Sequence, residues 1–393
     1  MNYEDEYIAN TYQRLPVNIL RGVDSTLFDV NGKKYIDMMG GYGVAILGYS
    51  NKNVKNAICN QYDRIPIAHA SEYTEARSNF VDKLSKIVPD GLNEFYLGNT
   101  GAEAIEAAIK VIKKSSRKHK IIAMTNSYHG KTLGALSITH SNKYRKYFGD
   151  ILMKDVEFIR YNNYDDLNII KNDDDIAGVF FEAVQGEGGI NIPDNDYVQQ
   201  LGELTAEKNI ILVADEIQSG LGRTGKMWAH ENFNVKPDII TIGKGIGGGI
   251  PLSITAGKKE YMDNLEKGEQ SSTTGGNPIA CAAGSSVIEQ LTPELLNDVY
   301  RKGELLRKTL NENLDGVKIV KEIRGLGLMD AIELKVKFLP ILMKMINNGV
   351  LPLYSGINII RMLPPYIISN DEIIEASEIM GNSIKSYYKE VLK

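Results

Sequence analysis

The sequence predicts an α/β protein in which a large, doubly wound, mainly parallel sheet domain is followed by a smaller α+β domain. Two observations carry this reading. From about residue 51 to residue 276, short apolar runs alternate with stretches of helical periodicity, as strands joined by crossover helices require. The runs are also continuous rather than alternating, which is how strands covered by helices on both faces read. They are Glu94–Leu97, Lys120–Met124, Ala177–Phe181, Ile210–Ala214 and Asp238–Ile242.

Taken in order, the chain opens with a strand pair, Thr26–Val30 and Lys34–Asp37, around Asn31-Gly32, a strong hairpin signal. Helical spacing follows at Ala102–Lys114 and Asn195–Lys208, and Pro251–Ala256 reads as a further strand. Beyond Ala282 come an amphipathic helix over Thr292–Leu314, strands at Val317–Glu322 and Leu328–Leu334, a helix over Phe338–Asn347, and a terminal helix from Asp371. The expected division is an N-terminal segment, 1–50, packing with the small domain, then a large domain, 51–282, and a small domain, 283–393.

Composition narrows the function classes. A net charge of −5 provides no basic field, so nucleic acid is not an expected partner. Two cysteines, Cys59 and Cys281, are too few for a disulfide framework and fit a reducing compartment. The start, MNYEDEYIAN, lacks the basic and apolar regions of a secretory signal, and no apolar run reaches the ~18 residues of a membrane span. The expectation is a soluble, cytoplasmic enzyme, with no membrane partner and no metal.

The chemistry concentrates at strand ends, where open α/β sheets bind ligands. Asp215 closes the Ile210–Ala214 run, and Lys244 follows the Asp238–Ile242 run inside Gly243-Lys244-Gly245-Ile246-Gly247-Gly248-Gly249. The glycines match a dinucleotide-binding pattern, but that pattern must open onto a helix, whereas this one runs into the Pro251–Ala256 strand. A lysine inside the turn also has no role in a dehydrogenase. A lysine and an acid at adjacent strand ends do suit pyridoxal 5'-phosphate (PLP), which is bound covalently by a lysine and pairs its protonated ring nitrogen with a carboxylate. The turn Leu97–Glu103 into the helix from Ala102 offers an anion site, or simply a cap by Asn99 or Thr100. Tyr128 follows a third strand end, where it could stack on a flat ring or merely pack.

These residues together resemble the class III aminotransferases, which have the type I PLP-dependent transferase fold, and specifically the acetylornithine/ornithine branch. The resemblance runs from Leu27-Phe28-Asp29-x-x-Gly32-x-x-Tyr35-Ile36-Asp37 to Arg361-Met362-Leu363-Pro364-Pro365. It implies that Lys244 is the covalent anchor and general base and that Asp215 is the partner of the ring nitrogen. It implies that Gln218 lies beside the ring oxygen, that Thr100, Gly101 and Ala102 form the phosphate loop, and that Tyr128 is the stacking aromatic. In Ser272-Thr273-Thr274-Gly275-Gly276-Asn277-Pro278 the resemblance implies that Thr273 reaches the phosphate of a neighbouring subunit and Ser272 touches substrate. The protein would then be a homodimer, or larger, with shared active sites.

The resemblance further implies that Glu187 pairs with Arg361 while an ω-amino substrate is bound, and releases it to grip the α-carboxylate of glutamate or 2-oxoglutarate. The alternative is that the two are unrelated surface charges. One departure concerns Lys131, where the branch usually has an arginine gripping the far carboxylate of the substrate; lysine keeps the charge and loses the bidentate fork. Another is Ala183 in place of a usual proline. Glu322–Met329 and Ile360–Tyr366 are most similar to archaeal-type enzymes of lysine and arginine biosynthesis. Those act on a semialdehyde attached through its α-amino group to a small acidic carrier protein, with glutamate as amino donor. A carrier would need a basic rim, either Lys113, Lys114, Arg117, Lys118 and Lys120 or Lys143, Arg145 and Lys146. N-Acetylornithine is the competing substrate, with ornithine, 4-aminobutyrate, an aminomutase and a non-catalytic paralogue more remote.

Overall fold

The computed structural model describes residues 3–391 and contains three sheets. The N-terminal strands β1 (Ile19–Val23), β2 (Thr26–Asp29) and β3 (Lys34–Asp37) form an antiparallel ribbon, with the turn at Asn31-Gly32.

The central sheet comprises β4 (Glu94–Gly98), β5 (Lys120–Met124), β6 (Val156–Ile159), β7 (Ile176–Phe181), β8 (Ile211–Asp215), β9 (Ile239–Ile242) and β10 (Ser253–Gly257). Its order is β4-β10-β9-β8-β7-β5-β6. Neighbours from β9 to β6 pair in parallel, and β10 runs antiparallel to both β4 and β9. Every residue of β7, β8, β9 and β10 is buried, which explains the unbroken apolar runs. The pleat divides the side chains between two cores. Ile121, Ala123, Ile211 and Val213 pack with the helix Gly101–Ser115, while Ile122, Met124, Leu212 and Ala214 share a core with Tyr197, Val198 and Leu201 of the helix Asn195–Glu207. β6 was not expected: Val-Glu-Phe-Ile alternates at an edge and is too short and polar to stand out.

The C-terminal sheet contains β11 (Val320–Leu326), β12 (Met329–Leu334), β14 (Leu353–Ser355) and β15 (Ile359–Met362), in the order β11-β12-β15-β14, all antiparallel. Between them β13 (Val350–Leu351) leaves this sheet and pairs in parallel with β3. The first strand begins three residues later than expected, because Val317–Val320 forms a turn held by the Val320 N–H to the Val317 carbonyl. The long helices Pro293–Leu314 and Asn370–Val391 pack against one another. Among the described residues no helix is long and apolar enough to cross a membrane.

The consequence for function is geometric. The carboxyl ends of β4, β5, β7, β8 and β9 all face one edge of the central sheet, and the loops leaving them converge there.

Candidate active site

A cavity of about 250 Å³ opens at that edge. It is lined by Gly101 and Ala102 after β4, Tyr128 and Lys131 after β5, Glu187 after β7, Asp215 and Gln218 after β8, and Lys244 after β9. Most of the residues singled out from the sequence therefore meet in one place.

Lys244 occupies the left-handed region, with φ +48°, inside the glycine-rich turn. It lines the cavity, and the surrounding protein, by desolvating the charge, lowers its pKa. A neutral amine is the form that can attack a carbonyl or accept a proton. Gly43 lies beside it at φ +82°, a left-handed backbone that glycine adopts without strain.

Asp215 is buried at the end of β8. Its Oδ1 accepts from the Ile217 N–H at 3.0 Å and from Thr241 Oγ1 at 3.3 Å, and its Oδ2 accepts from His129 Nδ1 at 2.6 Å. His129 is fully enclosed; burial works against its charge, but the hydrogen bond and charge of Asp215 prevail and raise its pKa. Its Nε2 has no hydrogen-bond partner among the described residues. Glu182, close to this pair, accepts from the Tyr128 and Gly186 N–H groups at 3.1 and 3.2 Å, and burial pushes its pKa up to about 7. The sequence reading passed over His129 and Glu182. His129 sits beside Tyr128 in the same strand-end loop, which was the available signal; Glu182 immediately follows β7, as Asp215 ends β8.

At the helix Gly101–Ser115, Thr100 is the N-cap: Oγ1 accepts from the Glu103 N–H at 3.3 Å, and Glu103 accepts from the Thr100 N–H at 3.1 Å. The capping reading of Thr100 is thus realised. Gly101 and Ala102 line the cavity and, as first-turn residues, have N–H groups without intrahelical partners, a setting that favours an anion.

On the opposite side, Arg361 of β15 is wholly buried. Its guanidinium donates to Glu187 Oε1 at 2.6 Å, to Gln218 Oε1 at 3.4 Å and to the Tyr354 carbonyl at 3.3 Å. Glu187 is only half-buried, and its backbone carbonyl is held by Ser355 Oγ. Lys131 is exposed, with Nζ 4.9 Å from the centre of the Tyr144 ring and 5.9 Å from that of Tyr128. Burial raises the Tyr128 pKa to about 12, which keeps that ring neutral.

Ser272 and Thr273 do not reach this cavity within one chain. Ser272 Oγ accepts from Asn99 Nδ2 at 2.8 Å and borders a separate cavity with Arg77 and Tyr96.

Residues 7–384 match the model of the aminotransferase class-III family. The chain belongs to the class III aminotransferases. Among relatives of this aminotransferase, the [LysW]-aminoadipate semialdehyde/glutamate semialdehyde transaminase of Sulfolobus acidocaldarius is 38% identical, over 94% of this chain and 95% of that one. The acetylornithine aminotransferase of Archaeoglobus fulgidus is 35% identical, over 96% and 98%. An ornithine aminotransferase structure from Toxoplasma gondii, with partial occupancy of PLP at its active site, superposes with a TM-score of 0.95 at 31% identity, over 100% of this chain and 95% of that one. The fold is that of the PLP-dependent enzymes, and this aminotransferase uses PLP. The residues fit that cofactor: a desolvated lysine amine, a buried carboxylate backed by an imidazole, the open first turn of a helix and an aromatic ring all face one cavity.

Proposed function

We propose that the chain transfers the amino group of glutamate to the terminal aldehyde of an amino-acid semialdehyde whose α-amino group is attached to a small acidic carrier protein, in lysine or arginine biosynthesis. The observation that carries the two-substrate reading is the ion pair of buried Arg361 with half-buried Glu187, 2.6 Å apart beside Gln218. An enclosed arginine cannot be left bare without a large penalty, so its partner must be exchanged rather than removed. Glu187 serves while the ω-amino substrate is bound, and the glutamate α-carboxylate takes its place with the planar fork gripping both oxygens. The carrier-linked substrate is supported by the 38% identical relative named above.

In this reading Lys244 would hold PLP covalently, Asp215 would pair with its ring nitrogen, and Gln218 and Tyr128 would contact its ring. The turn Thr100–Ala102 would hold its phosphate. PLP, when bound, provides the electron sink that lets the substrate carbon release its proton. Lys244 Nζ, its pKa lowered by burial, would take that proton and return it at the adjacent carbon. His129 donates to Asp215 and orients its carboxylate. Lys131 binds the far carboxylate of the substrate as a point charge. Thr273 and Ser272 complete the site of a second copy, so the enzyme works as a cytoplasmic homodimer with shared sites.

The second reading is an N-acetylornithine aminotransferase, favoured by the 35% identical relative. Glutamate-dependent conversion of free, N-acetylated and carrier-linked semialdehydes by the purified enzyme separates the two. Preference for the carrier-linked form is expected; preference for the acetylated form replaces the first reading with the second.

A further inference from the structure

A second cavity, of about 550 Å³, adjoins the first: Tyr128 and Glu187 line both, and Lys143, Tyr144, Tyr354 and Gly356 line its outer part. Two lysines flank Tyr144 at the junction. Lys131 Nζ lies 4.9 Å and Lys143 Nζ 5.7 Å from the centre of that one ring. Beyond them the surface stays cationic and apolar: Arg145 lies over Phe158 at 4.6 Å, Lys146 over Tyr147 at 4.4 Å, and Tyr147, Phe148 and Ile151 are exposed.

None of Lys131, Lys143, Arg145 and Lys146 forms an ion pair among the described residues. The other basic cluster differs. Lys114 pairs with Glu266 and Glu269, and Lys120 with Glu157 and Asp173, while Lys113 and Lys118 donate to the carbonyls of His119 and Lys208. Only Arg117 of that group has no such bond among the described residues. Lysines already paired with carboxylates, as Lys114 and Lys120 are, offer an acidic protein little; basic groups held against aromatic rings with no ion-pair partner are free to meet an incoming carboxylate.

We infer that the segment Ser141–Ile151 and the cavity behind it are the docking surface and entry passage for an acidic polypeptide carrying the semialdehyde. The acidic chain lies along Lys143, Arg145 and Lys146, its attached end threads past Tyr144, and the aldehyde reaches Lys244. Lys131 and Lys143, 4.9 and 5.7 Å from the centre of one ring, hold two anionic groups of the incoming chain. Two point charges suit that task, whereas one arginine fork suits a single carboxylate. This inference rests on the carrier-linked reading.

The test uses the PLP-loaded enzyme, glutamate as donor, and two synthetic substrates. In one the α-amino group is acetylated; in the other it is acylated by the C-terminal carboxyl of a glutamate-rich peptide. The enzyme is expected to prefer the peptide-linked substrate and to lose that preference as salt is raised. Lys143→Glu with Lys146→Glu should lower the ratio of kcat/KM, peptide-linked over acetylated, by about tenfold or more through KM. Lys113→Glu with Lys118→Glu should leave the ratio alone. An unchanged ratio in the first double variant, or an equal fall in the second, overturns the docking surface while the carrier reading stands. Absence of any preference in the parent enzyme overturns both.

Discussion

Where the central sheet meets the cavity, polar side chains have several fixed neighbours; the C-terminal sheet approaches it through a single ion pair, Arg361 with Glu187. Asp215 accepts three hydrogen bonds from Ile217, Thr241 and His129, and Glu182 accepts two from backbone N–H groups. Arg361, in contrast, has one carboxylate partner, on a half-buried residue next to two glycines. The difference teaches what each wall is for. The reacting atoms need a fixed geometry, since loosening it by about an ångström loses rate. A site that accepts two substrates in turn needs one contact that either can replace.

The largest effect expected concerns the fixed wall. Lys244→Ala should reduce glutamate-dependent turnover by at least about 10⁴-fold, the upper range for removing a positioned acid–base group. Residual turnover within tenfold of the parent would mean that the proton is handled elsewhere.

Next comes the exchangeable wall. Arg361→Leu leaves Glu187 without its partner and glutamate without its clamp, and should lower kcat/KM for glutamate by about 2–5 kcal/mol, mostly in KM. Glu187→Ala should instead spare glutamate and weaken the ω-amino substrate. Steady-state kinetics of both half-reactions checks this; equal losses on both sides would break the comparison.

The smallest effect concerns stability. Glu182 has its pKa raised by burial to about 7 from 4.5, so the fold favours its protonated form. Its contribution is therefore fully present below pH 4.5 and lost as the pH rises through 7, on the order of 3 kcal/mol. His129, raised by Asp215, and Asp330, pushed by burial to about 7, act with the same sign. Melting temperature should fall between pH 4.5 and 7, and Glu182→Gln should flatten that slope without abolishing it. An unchanged slope would show that Glu182 is not carrying the linkage.

Much of the fixed wall was legible because it depends on local pattern. Lys244 and Asp215 each follow an unbroken apolar run, and position at a strand end is written in the chain beside the residue. The antiparallel run of β10 was not legible, since strand direction depends on how the connection returns. His129 escaped because its partner, Asp215, lies far along the chain and meets it only when β5 and β8 enter one sheet. Glu182 escaped because desolvation arises from surroundings, not from neighbours in sequence. Residue type alone could not choose between the two basic clusters either. The carboxylates that pair with Lys114 and Lys120 in the first, Glu157, Asp173, Glu266 and Glu269, come from three other stretches of the chain.

The left-handed backbone at Lys244, φ +48°, has a consequence for stability. A side-chain-bearing residue there is disfavoured by about 1–2 kcal/mol, and enclosing an amine adds to the burden. Glycine at this position would relieve both, giving a sturdier but inert protein. The lysine at this position is therefore held for its chemistry, at a cost to the fold that a glycine variant should recover in melting temperature while losing turnover.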